Sequence, residues 1–506
     1  MPTDRSTATG SLLTSLCPDL RAALTRVGYD ADTLLDVLGA DAHAALGRSE
    51  PVPVRRAARR AGELGTLIRL LLLGDALPER EVAAALAPVD IGRAVAAGLL
   101  VRDGDVLRAA LDLRPLDAGA GSRWILADLD DSMRRRALTE DHVLGVGHAS
   151  LSLLRATPTR PVGTVLDLGT GCGVQAVHAA SYAQRVTATD VNDRALWLAE
   201  ATAALNELDI ELLEGSWFEP VRGRRFDQVV ANPPFVVGPP RIEHTYRDSG
   251  LALDGASELV IAQAADLLAP AGTAAMLAAW VHVDGDDWRG RVSSWLPAHG
   301  VDAWVVQRDV ADPALYVGTW LRDAGLDPRD PSAQARAEEW LDAFAAANVE
   351  GIGFGFVYLR AIDGPTELLA EDLTHGFDDP LGDEAVRYFE RSAWLRAVAG
   401  DESLAWSARF VVNPATALER VYLPGPDGWA PEVVRVHRGD GPRWQHEVDE
   451  TTVSLLAGMR PDGLPLYELI ELLALADGSD QVSTGFAADA LSVVAGLVRH
   501  GLIKPV

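Results

Sequence analysis

The sequence VLDLGTGCG at residues 165–173 decides the fold of this chain. It begins as an apolar run, passes through three glycines that alternate with other residues, and continues into sequence compatible with a helix. An apolar run that stops in a glycine-rich turn before a helix predicts a strand, a tight loop and a helix start. We therefore expect a β-α unit of a parallel sheet, with the loop at the carboxyl end of the strand.

Two further apolar strands end on polar residues. The first ends at Asp190, and the second ends at the sequence Asn-Pro-Pro-Phe, residues 232–235. Because the carboxyl ends of parallel strands meet at one edge of an open α/β sheet, where ligands bind, these residues are expected close to the glycine loop. The sequence therefore predicts one ligand site built from three strand ends.

Composition limits the classes of protein to which the chain can belong. The 506 residues are 48% hydrophobic and carry a net charge of −28, so the chain as a whole repels nucleic acid and anionic membranes. Cys17 and Cys172 lie far apart, which predicts neither a disulfide framework nor a metal site. The longest apolar run, near Leu64 to Leu73, is too short to cross a bilayer. We expect a cytoplasmic protein without a metal.

The glycine loop favours S-adenosylmethionine over a dinucleotide. An acid, Asp167, stands two residues before the first glycine; it suits a sulfonium and an ammonium group better than a pyrophosphate. Asp190 can accept hydrogen bonds from both ribose hydroxyls, since a carboxylate is a strong acceptor. The cofactor contacts predicted from this region are Asp167, Gly169, Thr170, Gly171, Gly173 and Asp190.

Residues from about 141 to 361 resemble the class I S-adenosylmethionine-dependent methyltransferases, in the group with an Asn-Pro-Pro-aromatic motif. Residues 167–173 look like the family's first motif, Asp190 like its ribose-binding acid, and residues 232–235 like its catalytic motif. The resemblance implies an α/β, Rossmann-like sheet of seven strands with a terminal antiparallel strand, for which residues 301–306 and 353–359 are candidates. It also implies cofactor contacts from Ser216, Trp217 and Asn232, with Ser216 where relatives often carry an acid.

The Asn-Pro-Pro-Phe motif suits methyl transfer to a planar nitrogen. The Asn232 side-chain oxygen and the Pro233 carbonyl can each accept one N–H of an amino group, which turns the nitrogen lone pair toward the methyl group. Two prolines hold the backbone nearly fixed. Phe235 can stack on a flat substrate. We predict that Asn232, Pro233 and Phe235 are the catalytic residues.

Two features after the motif point to different substrates. The loop 236–250 predicts substrate contacts from Arg241, Tyr246 and Arg247, together with Pro234. An Ala-Leu-Asp-Gly turn at residues 252–255 resembles the glutamine methyltransferases that modify release factors, whereas an Asn-Pro-Pro-Phe sequence resembles the base-directed members.

The sequence predicts three domains. They are an N-terminal helical, winged-helix-like accessory domain at residues 1–120, a methyltransferase domain at 121–362 with an insertion at 284–350, and a C-terminal α+β, winged-helix-like accessory domain at 363–506. No basic recognition helix stands out in the flanking regions, so packing or protein contact is favoured over nucleic-acid binding.

The predicted activity is transfer of a methyl group from S-adenosylmethionine to an exocyclic nitrogen of a base in ribosomal or other structured RNA. A protein-glutamine N-methyltransferase is the close alternative, with a protein as partner. A non-catalytic, cofactor-binding scaffold is a third possibility, which the complete Asn-Pro-Pro-Phe motif disfavours.

Overall fold

The computed structural model describes residues 3–119, 121–129, 139, 141–240, 249–377, 380–476, 478 and 481–506. The chain forms two compact units. The first contains Met1–Leu154 and Thr159–Asp372, and the second contains Arg155–Pro158 and Leu373–Val506. The division into three domains stays a prediction. Within the described ranges, no helix combines the length and the apolar character needed to span a membrane.

The first unit begins with helices and short strands. Their bounds are α1 Thr3–Val27, α2 Ala31–Gly47, α3 Pro51–Ala58, α4 Gly62–Leu67, β1 Leu77–Pro78, α5 Glu79–Leu86, α6 Ile91–Ala96, β2 Leu100–Asp103, β3 Val106–Ala109, β4 Leu111–Asp117 and β5 Ser122–Asp128. Asp103-Gly104 between two apolar runs predicts a hairpin turn. The structure has this hairpin as β2 and β3, and β1 completes a sheet of order β1-β3-β2. The winged-helix assignment stays a prediction that this order of elements favours.

The central sheet and its helices follow. Their bounds are α7 His148–Ala156, β6 Val162–Leu168, α8 Val174–Ala179, β7 Ala183–Asp190, α9 Asp193–Leu205, β8 Ile210–Glu214, β9 Phe226–Ala231, α10 Gly255–Ala264, β10 Leu268–Val283, α11 Trp288–Ser294, β11 His299–Ala311, α12 Pro313–Asp323, α13 Pro331–Ala346, β12 Val349–Pro365 and β13 Glu367–Asp372. The strand order is β13-β11-β12-β10-β9-β6-β7-β8.

The sheet has the predicted α/β, mostly parallel character but one strand more than expected. β12 runs antiparallel to both β10 and β11, which confirms the predicted antiparallel strand. β13 adds an eighth strand, parallel to β11. The predicted insertion at 284–350 includes β11, which belongs to the sheet, and three helices, of which α12 and α13 pack together as a helical pair.

The N-terminal helices share a hydrophobic core with α9. Buried side chains of α1, among them Leu13, Leu16 and Cys17, lie in one cluster with Leu198 and Leu205 of α9. Polar side chains of α9 also bond the edge of β5, because Thr202 accepts the Leu126 N–H at 3.1 Å and Asn206 the Trp124 N–H at 3.0 Å. The N-terminal region and the central sheet are therefore packed together.

The second unit is an α+β assembly. Its elements are α14 Leu381–Gly400, α15 Ser403–Ser407, β14 Phe410–Val412, β15 Thr416–Gly425, β16 Gly428–Arg438, β17 Gln445–Glu447, α16 Glu450–Gly458, α17 Leu466–Ala476, α18 Thr484–Arg499 and β18 Ile503–Pro505. The strands form two small sheets, β14-β18 and β15-β16-β17. Apolar periodicity predicts helices at 451–459, 466–474 and 487–498, and the sequence at 424–428 predicts a turn. They are present as α16, α17, α18 and the turn between β15 and β16, while the winged-helix-like assignment stays a prediction.

A carboxylate lies at the centre of the second unit. Glu384 of α14 is fully buried, and its two oxygens accept hydrogen bonds from Arg391 at 2.6 Å and from Arg438 of β16 at 3.0 and 3.1 Å. Burial opposes ionisation, yet the charges of both guanidinium groups hold the pKa of Glu384 below its ordinary value. This ionic cluster joins the helix to the sheet.

Candidate active site

Strand register brings the three predicted strand ends together. Leu168, the last residue of β6, is paired with Thr189 of β7 on one side and with Ala231 of β9 on the other. The residues that follow are Gly169, Asp190 and Asn232. The glycine loop therefore lies between the acid and the Asn-Pro-Pro-Phe motif at one sheet edge.

The glycine loop is shaped to receive a ligand. Gly169, Gly171 and Gly173 have φ angles of +70°, +56° and +90°, a region that side chains other than glycine rarely adopt. A Cβ atom at Gly169 or Gly171 would meet nothing within 4 Å, so both glycines face open space. The Gly171 N–H donates to Asp190 at 2.9 Å, which holds the loop against β7. This cradle fits the cofactor expected from sequence.

Asp167 lies beneath the loop and is 1% exposed. Its Oδ2 accepts a hydrogen bond from the Thr170 hydroxyl at 2.7 Å. Burial raises the pKa of Asp167 to about 7, and the nearby charge of Asp190 adds to this shift. The side chain of Asp167 thus holds Thr170 of the loop in place. The predicted contact of Asp167 with the cofactor stays a prediction.

The Asp167→Asn substitution should change how stability depends on pH. The folded pKa of about 7 exceeds the ordinary 3.8, so the native state binds the proton more tightly and loses stability as pH rises between about 4 and 7. Asparagine does not titrate, so the variant should lack this contribution. The measurement is the thermal midpoint of the cofactor-free protein across that range. Curves of wild type and variant that stay parallel would contradict the prediction.

The carboxylate of Asp190 can accept further hydrogen bonds from a ribose. Its two carboxylate oxygens accept the N–H groups of Gly171 and Asn192, each at 2.9 Å. A carboxylate has about four lone-pair sites, so acceptor capacity remains beyond these backbone N–H groups. Burial raises the pKa of Asp190, while the backbone N–H groups oppose the shift. The geometry suits the predicted ribose contact.

Ser216 and Trp217 follow β8 on the side of the loop opposite Asn232. The Gly215 N–H donates to the Asp190 carbonyl at 3.0 Å, which brings this turn beside the acid. Ser216 and Trp217 are both half-buried, and Trp217 has a φ of +48°. Trp217 packs against the apolar cluster of the sheet that includes Phe218 and Val221. The turn is in position for the adenine contact predicted from the resemblance.

The motif at residues 232–235 leaves β9 directly beside the loop. Pro233 is buried, whereas Asn232, Pro234 and Phe235 are half-buried. Phe235 packs against an apolar cluster that contains Tyr316, Phe344 and other side chains of α12 and α13. The helical pair outside the sheet therefore supports the aromatic residue of the motif.

The helices α12 and α13 also contact the two residues Val237 and Gly238 that follow the motif. The Val237 N–H donates to the Tyr316 hydroxyl at 2.8 Å, and Trp340 lies so close to Gly238 that an added Cβ would come within 3.2 Å of its ring. Sequence periodicity alone does not reveal this contact. Arg241, Tyr246 and Arg247, the other predicted substrate contacts, lie outside the described residues, and their roles stay predictions.

The aspartate of the Ala-Leu-Asp-Gly turn, Asp254, forms hydrogen bonds within the fold. Asp254 is 2% exposed, and both of its oxygens accept hydrogen bonds from the guanidinium of Arg291 at 2.6 Å. The Val281 N–H donates to the same carboxylate at 3.0 Å. Asp254 therefore ties the start of α10 to α11 and β10, so its presence does not by itself favour a glutamine substrate.

A segment before α7 lies beside Asp190. Asn192 donates to the Asp141 carbonyl at 3.1 Å, and the Val143 N–H donates to Asp128 at 3.0 Å. Asp128 also binds Arg194 of α9, with 2.8 Å between its Oδ2 and the arginine Nε. The pairing of Asp128 with Arg194, distant in sequence, was not predicted. Among the described residues, no group of His, Cys, Asp or Glu side chains forms a metal site.

Three segments of the chain match known families. Residues 144–279 match the methyltransferase small domain. Residues 26–110 match a domain of unknown function (DUF7059), and residues 386–505 match another domain of unknown function (DUF7782). The Asn-Pro-Pro-Phe motif and the glycine loop lie in the first of these segments.

Curated relatives are methyltransferases of two kinds. The release factor glutamine methyltransferase of Bordetella pertussis is 34% identical over 184 residues, 34% of this chain and 67% of that protein. The ribosomal RNA small subunit methyltransferase C of Erwinia tasmaniensis is 37% identical over 93 residues, 18% of this chain and 27% of that protein. For four relatives of both kinds, the chain spans 27% to 44% of their length.

One of the solved structures that the chain matches was determined with AdoMet bound. It is the T. Thermophilus 16S rRNA N2 G1207 methyltransferase in complex with AdoMet and guanosine, 18% identical, with a TM-score of 0.27; the match covers 51% of this chain and 67% of that one. The sequence relatives and the geometry of the loop agree on S-adenosylmethionine as the methyl donor. The chain belongs to the class I S-adenosylmethionine-dependent methyltransferases, of the type represented by release factor glutamine methyltransferases and ribosomal RNA methyltransferases.

Proposed function

We propose that the protein methylates an exocyclic amino nitrogen of a base in RNA. The observation that carries the proposal is the position of Phe235, an aromatic side chain without a hydroxyl, half-buried on the apolar cluster of α12 and α13 beside the glycine loop. A ring held in this way offers a flat face to an unstacked base. A relative with a partial match is named a ribosomal RNA methyltransferase.

The motif supplies positioning rather than a strong base. An exocyclic amino nitrogen is a poor nucleophile because its lone pair is delocalised into the ring. The Asn232 side-chain oxygen and the Pro233 carbonyl would each accept one of its N–H bonds, so that the lone pair points to the bound sulfonium. Bound S-adenosylmethionine supplies the methyl group. Alignment of the two reacting atoms then accounts for much of the rate.

The site around the motif limits how RNA can approach. The net charge of −28 opposes phosphate binding over most of the surface. We propose that Arg241 and Arg247 of the substrate loop, with Tyr246 and Pro234, make the local contacts to the nucleotide. The target would then be a short, single-stranded element rather than an extended duplex. We also propose a cytoplasmic location.

A protein glutamine is the second candidate, favoured by the relative from Bordetella pertussis. The side-chain amide of glutamine is also planar and would use Asn232 in the same way. The Ala-Leu-Asp-Gly turn adds little support, because Asp254 is buried and bound to Arg291. The complete Asn-Pro-Pro-Phe motif lies next to the open glycine loop, which disfavours a scaffold without activity.

A labelling experiment separates these functions. Purified protein and S-adenosylmethionine with a labelled methyl group are incubated with total RNA and with total protein from a strain that lacks the gene. We expect label in RNA, on a base, and none with the Asn232→Ala variant under the same conditions. Label only in protein would replace the RNA proposal by the glutamine alternative, and label in neither fraction would favour a scaffold or a small substrate.

A further inference from the structure

The second unit contains an open groove that the methyltransferase site does not use. Its volume is 560 Å³, and it lies between β16, the segment from β17 to the start of α16, and α18. The apolar part of its lining, called the floor below, is formed by Val433, Val434, Val448, Val493 and Leu497; the polar residues His446, Asp449, Thr452 and Ser492 also line the groove. Leu497 is buried, while the four valines are half-buried and reach the groove. A space of this size holds a few side chains of a bound segment.

The rim of the groove carries carboxylates that lack ionic partners in the described part of the chain. Glu432 and Glu447 are exposed and line the groove. Neighbouring acids outside the groove are paired: Glu419 lies 2.8 Å from Arg435, and Glu450 lies 2.9 Å from Arg420. Glu432 and Glu447 therefore leave two carboxylates beside the groove that the ion pairs of the described residues do not neutralise.

The edge of β16 beside the groove is partly unpaired. From Trp429 to Val433 the strand is bonded to β15, whereas β17 pairs only with Arg435, Val436 and His437 within the described residues. The tip of the same hairpin exposes apolar side chains: Trp429 is 73% exposed, Tyr422 46% and Leu423 49%. Exposed aromatic residues next to an apolar groove are typical of a surface that contacts another protein.

From these features we infer that the groove binds an extended, basic segment of a partner protein. Apolar side chains of the segment would lie on the valine floor, and its lysine or arginine side chains would pair with Glu432 and Glu447. The net charge of −28 attracts a basic partner and repels both RNA and a second copy of this chain. The inference concerns a partner contact separate from the methylated substrate and stands whether the substrate is RNA or protein.

A peptide titration with the full chain tests the inference. The probe is a fluorescein-labelled peptide of alternating lysine and valine, and binding is followed by fluorescence anisotropy. Peptides of alternating glutamate and valine, or lysine and glycine, serve as comparisons: the first reverses the charge, and the second removes the apolar side chains. We expect binding of the lysine-valine peptide alone, with slower amide hydrogen exchange at Val433 and Val434 when it is bound.

Charge-reversal variants distinguish the groove from the overall charge. The double variant Glu432→Lys, Glu447→Lys should weaken peptide binding at least about tenfold, since it removes both rim contacts. The double variant Glu402→Lys, Glu471→Lys changes the net charge equally at exposed positions outside the groove and should bind within about twofold of wild type. Circular dichroism verifies that both variants are folded.

Three results would overturn the inference. The lysine-valine peptide would not bind, or its affinity would fall equally in the two double variants, or the lysine-glycine peptide would bind as tightly as the lysine-valine peptide. Self-association in sedimentation velocity that disappears with the Glu432→Lys, Glu447→Lys variant would assign the groove to a second copy instead. Binding of a labelled single-stranded RNA that Trp429→Ala abolishes would assign the hairpin to nucleic acid.

Discussion

The Asn232→Ala variant should lose methyl transfer by about 100- to 1,000-fold in kcat, the range seen when one preorganised hydrogen-bonding group is removed from an active site. Asn232 follows β9 next to the glycine loop, where its amide oxygen can hold the reacting amino group. Cofactor affinity should change little, because Asp190 and the loop backbone provide the contacts expected for the ribose and the rest of the cofactor. Single-turnover rates and calorimetric titration with S-adenosylmethionine measure the two quantities.

A matched control is Asn348→Gly. Asn348 is an exposed asparagine with a φ of +52°, a conformation that glycine adopts easily, at the end of the helical pair. Its variant should retain both activity and cofactor binding. Retention of transfer by Asn232→Ala would mean that other groups hold the reacting nitrogen. Loss of cofactor binding in that variant would instead make Asn232 chiefly a cofactor contact, which is the second role predicted from the resemblance.

The Glu384→Ala variant should destabilise the second unit by about 3–5 kcal/mol, the cost of leaving buried charges without their partner. Arg391 would lose its carboxylate partner, and Arg438, itself only 1% exposed, would keep only Asp440, at 2.9 Å, of its carboxylate partners. Burial lowers the pKa of Arg391, yet a guanidinium stays charged at neutral pH and cannot escape the penalty by losing its proton. Native-state hydrogen exchange of amides in α14 and α18 measures the loss.

Glu450→Ala is the control for that prediction. Glu450 is exposed and pairs with Arg420 on the surface of the same unit, with 2.9 Å between Oε2 and the arginine nitrogen. Solvent screens such a pair, so its removal should cost less than about 1 kcal/mol. Similar losses in the two variants would show that the buried cluster contributes no more than a surface ion pair.

Local sequence was sufficient to predict the elements that the active site needs. The glycine loop, Asp190 and the motif at 232–235 each follow an apolar strand, and parallel strands place their carboxyl ends at one edge. The hairpin at β2 and β3 was likewise predictable from its Asp-Gly turn. These features depend on short stretches of chain, where residue type and backbone conformation are closely linked.

Contacts between distant residues were not predictable from one sequence. Nothing in the periodicity of residues 252–255 indicates that Asp254 binds Arg291, or that α12 and α13 pack on Phe235. Such pairs depend on how elements pack in three dimensions. The eighth strand, β13, was missed because its short sequence, Glu367–Asp372, is bounded by acids and does not alternate apolar and polar residues. Its pairing with β11 is a property of the assembled sheet.

The packing of α1 against α9 has a consequence for how the protein is made. Synthesis proceeds from the N-terminus, and domains generally fold as units in that order. The apolar face of α1 emerges from the ribosome well before Leu198 and Leu205, the side chains of α9 that complete its core. The apolar surface of α1 that packs on α9 therefore stays exposed until the first half of the central sheet has been translated. Nascent chains that stall within this interval would be those in greatest need of a chaperone.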